Sequence, residues 1–107
     1  MIYEVREYVA APGRLGAVLD LFASATVPML TRHGIDLVSA GRTMIGEHSW
    51  DELVYTLRFD DLADLERKWD GLLADPEWVE ALTAAEAGGP LFQTMRRRVL
   101  AADPVSG

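Results

Sequence analysis

The sequence predicts one small α+β domain, an antiparallel sheet covered by helices. Two observations carry that prediction. Stretches with period-two alternation take turns with stretches of helical spacing along the chain. The length, 107 residues, suits one domain that holds all of them. The domain is expected over residues 1–100, with residues 101–107 as a tail. Half of the residues are apolar, enough for a core and too many for a disordered chain.

Residues 2–10 alternate and are rich in Tyr and Val, a strand signal. Tyr3, Val5 and Val9 fall on one side, and Glu4, Arg6 and Tyr8 on the other. Ala11-Pro12-Gly13 ends the strand with turn chemistry. Residues 14–32 repeat at helical spacing, with Leu15, Val18, Leu19, Phe22, Thr26, Met29 and Leu30 on one side. Pro28 lies inside that pattern. Its missing N–H and its ring predict a kink or break over the last turn, with the mouth of a pocket nearby. Gly34 is the expected stop.

A second strand is expected over 35–45, bent or bulged near Gly41, then a polar turn from Gly46 to Asp51. Residues 52–59 alternate again, with Leu53, Tyr55, Leu57 and Phe59 facing one way. Asp60-Asp61 supplies capping oxygens for a helix with the stripe Leu62, Leu65, Trp69, Leu72 and Leu73. Asp75-Pro76 starts a short helix with Trp78, Val79 and Leu82 on its inner side. Gly88-Gly89-Pro90 breaks it, and residues 91–100 form the last strand. The order β-α-β-β-α-β is the ferredoxin-like split arrangement.

The Tyr3/Val5 and Leu53/Tyr55/Leu57/Phe59 surface is the more apolar and is expected against the helices. The surface carrying Glu4, Arg6, Tyr8, Thr56 and Arg58 then faces either water or a second sheet.

Composition excludes several function classes. Net charge is −7, from 17 acidic and 10 basic residues, which argues against a nucleic-acid partner. The run Arg96-Arg97-Arg98 reads as a solvated edge or as ion-pair donors. There is no cysteine, so no disulfide frame, thiolate metal site or cysteine nucleophile is available. No apolar stretch approaches the ~20 residues of a membrane span, and the first residues lack a signal-peptide pattern. A cytoplasmic protein is expected. There is no G-x-G-x-x-G, Walker or G-x-S-x-G motif.

The run Tyr3-Glu4-Val5-Arg6-Glu7-Tyr8 with Pro12-Gly13-Arg14 resembles the start of a NIPSNAP-family domain. Pro28, Arg32-His33-Gly34, Ile45-Gly46 and Asp75-Pro76-Glu77-Trp78 continue the resemblance in order, over about residues 2 to 99. It departs from many relatives at Glu47-His48-Ser49-Trp50 and at Leu57. The resemblance implies the dimeric α/β-barrel arrangement, a homodimer in which two sheets face each other. It also implies a ligand pocket between each sheet and its own helices. Members of the superfamily include cofactor-free monooxygenases, polyketide cyclases, lactone isomerases and haem-binding enzymes, and some bacterial NIPSNAP members are associated with secondary metabolism.

His33 lies four residues after Met29, so helical spacing turns it inward, and imidazole suits acid–base work near neutral pH. The other role open to it is capping the last carbonyls of its helix. His48 is expected as a solvated turn residue. Neither histidine has metal-ligand spacing, so no metal is expected, and no cofactor. Tyr3, Phe22, Met29 and Trp69 are candidate substrate contacts, with Tyr55 as a second catalytic group beside His33. The expected function is a cofactor-free cyclase, isomerase or oxygenase acting on an aromatic or polyketide-like molecule. The alternative is a non-catalytic small-molecule- or partner-binding homodimer; a haem-binding protein ranks third.

Overall fold

The computed structural model describes residues 1–102. The expected tail therefore lies almost wholly outside the described residues. The elements are β1 (Ile2–Ala10), α1 (Leu15–Leu21), a π-helical turn (Phe22–Thr26), α2 (Val27–Arg32), β2 (Asp36–Arg42), β3 (Glu52–Phe59), α3 (Leu62–Leu73), α4 (Pro76–Glu86) and β4 (Phe92–Ala101). The sheet is antiparallel with order β2-β3-β1-β4, so the α+β, ferredoxin-like class holds. Leu53, Tyr55, Leu57 and Phe59 of β3 pack with Val18, Leu21 and Leu30 of the first helical stretch and with Leu65 and Leu72 of α3.

Local chemistry sets the helix ends. Asp61 accepts from the Asp64 N–H at 2.8 Å, and Asp75 from the Glu77 N–H at 3.0 Å. Both are N-caps that satisfy donors the helix cannot pair itself. Gly34, at φ +70°, turns the chain out of α2. The bonds Ile35 N–H to Leu30 O and Gly34 N–H to Thr31 O complete a Schellman cap.

The break expected at Pro28 does not occur. The helix continues to Arg32, and the correction for proline sits one turn earlier. The Val27 N–H bonds the Phe22 carbonyl, an i→i−5 bond. A wider turn there absorbs the ring and the missing donor without a break. The extra residue also changes the buried set, which includes Leu21.

Other expectations need correction. β2 begins at Asp36 and ends at Arg42, and its irregularity falls between Leu37 and Ser39, while Gly41 pairs in register with Val54. Leu62, Leu73 and Val79 are exposed, because each helix needs only a narrow stripe against this sheet.

The largest correction concerns β1. Glu4, Arg6 and Tyr8 pair directly with Leu57, Tyr55 and Leu53. Paired residues share a face, so these three point at the helices. Tyr3 and Val5, opposite Arg58 and Thr56, point away from them. The polar set goes inside because it satisfies itself there: Glu4 is fully buried among three donors. The outer face keeps Glu7, paired with Arg96 and Arg98 at 3.1 and 3.0 Å. Arg58 pairs with Asp36 at 3.3 Å.

Candidate functional site

A cavity of about 190 Å³ lies between the sheet and the helices. β1 contributes Arg6 and Tyr8, and β3 contributes Leu53 and Tyr55. The helices contribute Val18, Leu21, Phe22, Thr26, Trp69, Leu72, Trp78 and Leu82, while Phe92 and Met95 come from β4. The π turn helps form one wall, since Phe22 and Thr26 belong to it. Leu73, Glu86 and Met95 stand exposed at the rim, and Glu86 is the one carboxylate among the described lining residues.

Six of the lining residues are aromatic. Phe22 and Tyr55 have centroids 4.9 Å apart, and Tyr8 sits edge-on to Tyr55 at 5.4 Å and to Phe92 at 5.2 Å. These spacings suit favourable ring pairs.

Polar groups are few and connected. The Tyr8 and Tyr55 hydroxyls are hydrogen-bonded at 2.7 Å. The Arg6 Nε–H donates to Tyr8 Oη at 2.6 Å, and Arg6 Nη1 donates to Glu4 Oε2 at 2.9 Å. The Trp69 indole N–H donates to Glu4 Oε1 at 2.6 Å, and Arg97 Nε reaches Glu4 Oε2 at 2.6 Å. The Arg6 guanidinium also stacks on the Trp69 ring at 4.5 Å.

Burial pushes the Tyr55 phenol far above the ordinary tyrosine range, with the neighbouring Tyr8 adding to it. Tyr55 is therefore a protonated donor at any working pH. Desolvation works against the Arg6 charge, but Tyr8, Tyr55 and Glu4 more than offset it, and the guanidinium is held charged.

The structure brings Tyr55, Phe22 and Trp69 together in the cavity. It does not bring in the other sequence candidates. Tyr3 lies on the opposite sheet face, and Met29 is buried outside the lining. His33 ends α2 and bonds Asp75 Oδ2 through Nε2 at 2.8 Å. The contact ties the end of α2 to the cap of α4, away from the lining. Arg6, Tyr8 and Trp78 were missed by sequence reasoning. The signal for the first two was the Trp69 indole on an inner helix stripe, which needs a buried acceptor, and Glu4 is the nearby strand residue that supplies one.

No helix is long and apolar enough to cross a membrane, and no cluster of three or more metal-ligating side chains occurs, among the described residues.

No sequence match was found among curated proteins. Solved structures match over nearly the full chain. An uncharacterized NIPSNAP-like domain protein from Burkholderia xenovorans is 25% identical with a TM-score of 0.83, covering 99% of this chain and 88% of its own. A NIPSNAP family protein with unknown function from Agrobacterium tumefaciens is 24% identical with a TM-score of 0.79, covering 97% and 92%. An antibiotic biosynthesis monooxygenase shares the fold at 13% identity and a TM-score of 0.65, covering 97% and 100%. The NIPSNAP family model matches residues 3–107, and the chain belongs to the NIPSNAP family.

Proposed function

We propose that this chain is a small-molecule enzyme, a cofactor-free cyclase, isomerase or oxygenase that takes one aromatic or polyketide-like ring into the cavity. The observation that carries this reading is the hydrogen-bonded pair Tyr8 and Tyr55, set into a largely apolar, aromatic lining. Such a lining with a few convergent polar groups is what a planar organic ligand needs. The cavity, about 190 Å³, is slightly larger than the roughly 150 Å³ that accommodates benzene. One ring fits inside, and substituents leave past Leu73, Glu86 and Met95.

Tyr55 keeps its proton and donates a hydrogen bond to a carbonyl oxygen of the bound ring. Water at the cavity mouth takes the α-proton as the C–H bond breaks, and the hydrogen bond from Tyr55 stabilises the enolate oxygen that forms. Cyclisation, isomerisation and attack of a carbanion on dioxygen all start from that species. The shared fold of an antibiotic biosynthesis monooxygenase is compatible with such chemistry.

The test is turnover of enolisable single-ring ketones by the unmodified protein and by Tyr55→Phe, followed by enol absorbance. Loss of one such oxyanion donor lowers the rate by about 10²–10³-fold. Equal turnover by a folded Tyr55→Phe variant overturns the assignment. Binding of such rings without turnover leaves a binding protein in place of an enzyme.

A further inference from the structure

We infer that the ligand is an organic anion, a single ring carrying a carboxylate or a comparable anionic oxygen, and that Arg6 receives the charge. This rests on the reading of the cavity as the ligand site.

The balance of charge around Arg6, which lines the cavity, is the first support. Glu4 is a fully buried carboxylate, and two guanidiniums, Arg6 and Arg97, converge on it. Neither guanidinium has another carboxylate partner among the described residues. Three charges therefore leave one unit of positive charge. Arg97 is 48% exposed and is screened by solvent, while Arg6 is 15% exposed and is not. A positive charge held against apolar walls attracts an anion far more strongly than one in water. The carboxylates nearby are Glu86 at the rim, and Glu66 and Asp70 along the groove on the other side of Arg6. All three are exposed, so water weakens their opposition. The net charge of −7 is likewise spread over a solvated surface.

The second support is donor capacity. A guanidinium has five N–H donors in a rigid fork. Arg6 gives Nε–H to Tyr8 and one Nη1 hydrogen to Glu4. Its Nη2 donates to no protein atom among the described residues, yet it is not sealed off from solvent. Stacking on Trp69 fixes the plane of the fork. The hydroxyl pair adds a further donor, because one of its two protons makes the Tyr8–Tyr55 bond and the other is left for the ligand. An anionic group satisfies these donors together through charge-assisted bonds, and a neutral carbonyl meets them only with weaker ones.

Benzoate, benzamide and toluene, titrated into the full chain by calorimetry and NMR, test this. All three are one-ring molecules of similar size, and only benzoate is charged. Benzoate should bind about tenfold to a hundredfold more tightly than benzamide, and the Trp69 indole N–H and Phe22 ring resonances should shift. Arg6→Gln should bring benzoate down to the benzamide level while toluene binding is unchanged. The comparison in the unmodified protein decides the matter even where Arg6→Gln does not fold. Equal binding of benzoate and benzamide, or benzoate shifts confined to residues outside the lining, overturns the anion inference and leaves the cavity reading standing. Binding of none of the three overturns both.

Discussion

Replacing Glu4 by Ala should be among the most destabilising single substitutions in this domain. Its carboxylate has no solvent exposure and accepts from Arg6 Nη1 at 2.9 Å, Trp69 Nε1 at 2.6 Å and Arg97 Nε at 2.6 Å. Arg97 is half-exposed and can turn to water, so its share is small. Arg6 cannot, and Trp69 loses the acceptor of its indole N–H. Removing one partner of a buried ion pair costs about 3–5 kcal/mol, mostly as the penalty of the charge left behind. Total stability for such a domain is about 5–15 kcal/mol. At about 4–8 °C per kcal/mol, the melting temperature should fall by more than about 12 °C. Glu4→Gln keeps an acceptor for Trp69 and should fall less. Removing Arg6 as well should restore part of the loss, because the stranded charge is then gone. Calorimetric melting of the unmodified protein, the two Glu4 variants, the Arg6 variant and the double variant is the assay. A drop below about 4 °C for Glu4→Ala, or simple additivity with the Arg6 substitution, would refute the buried network.

Two further predictions concern the remaining surfaces. The Asp75 carboxyl lies below the ordinary carboxylate range, chiefly because His33 bonds it, with the Glu77 N–H and Arg32 adding. A lowered folded pKa contributes stability above the unfolded value of about 3.9 and loses it as pH falls through the folded value. His33→Ala should therefore shift acid unfolding to higher pH while leaving turnover at neutral pH intact; a rate loss of about 10²-fold or more in a folded variant would give His33 an acid–base role instead. The outer sheet face, with Tyr3, Val5, Val54 and Thr56 beside the Glu7–Arg96–Arg98 cluster, is expected to close a homodimer that buries more than about 2,000 Å² in total. Val54→Asp should dissociate it in sedimentation at micromolar concentration, and a monomer from the unmodified chain would contradict that use of the face.

Features with local causes were legible in the sequence. Asp61 and Asp75 cap their helices, and Gly34 ends α2, because each needs only its own backbone and a few neighbours. The alternation of β3 was legible because its inner side is wholly apolar. The facing of β1 is hidden in the sequence because both of its sides are mixed. Tyr3 and Val5 look more apolar than Glu4, Arg6 and Tyr8, and only pairing with β3 and the indole of Trp69 shows which set is satisfied inside. That inversion hid Arg6 and Tyr8 from the candidate site while Tyr55, Phe22 and Trp69 remained visible. Pro28 signals a disturbance by its chemistry alone, but the helix resolves it by a π turn in the preceding residues. Whether a helix breaks or widens depends on the packing of Leu21, Phe22 and Thr26 against the sheet, which spacing alone does not encode.

We propose the space between the sheet and its helices as the ligand site, and a crystal structure of the protein with a bound single-ring ligand is the test of that placement. Ring density is expected between Phe22, Leu72 and Trp78, with a ligand oxygen within about 3.2 Å of the Tyr8 or Tyr55 hydroxyl. A ring seated on the outer sheet face or in a surface groove, with the cavity unfilled, would contradict it.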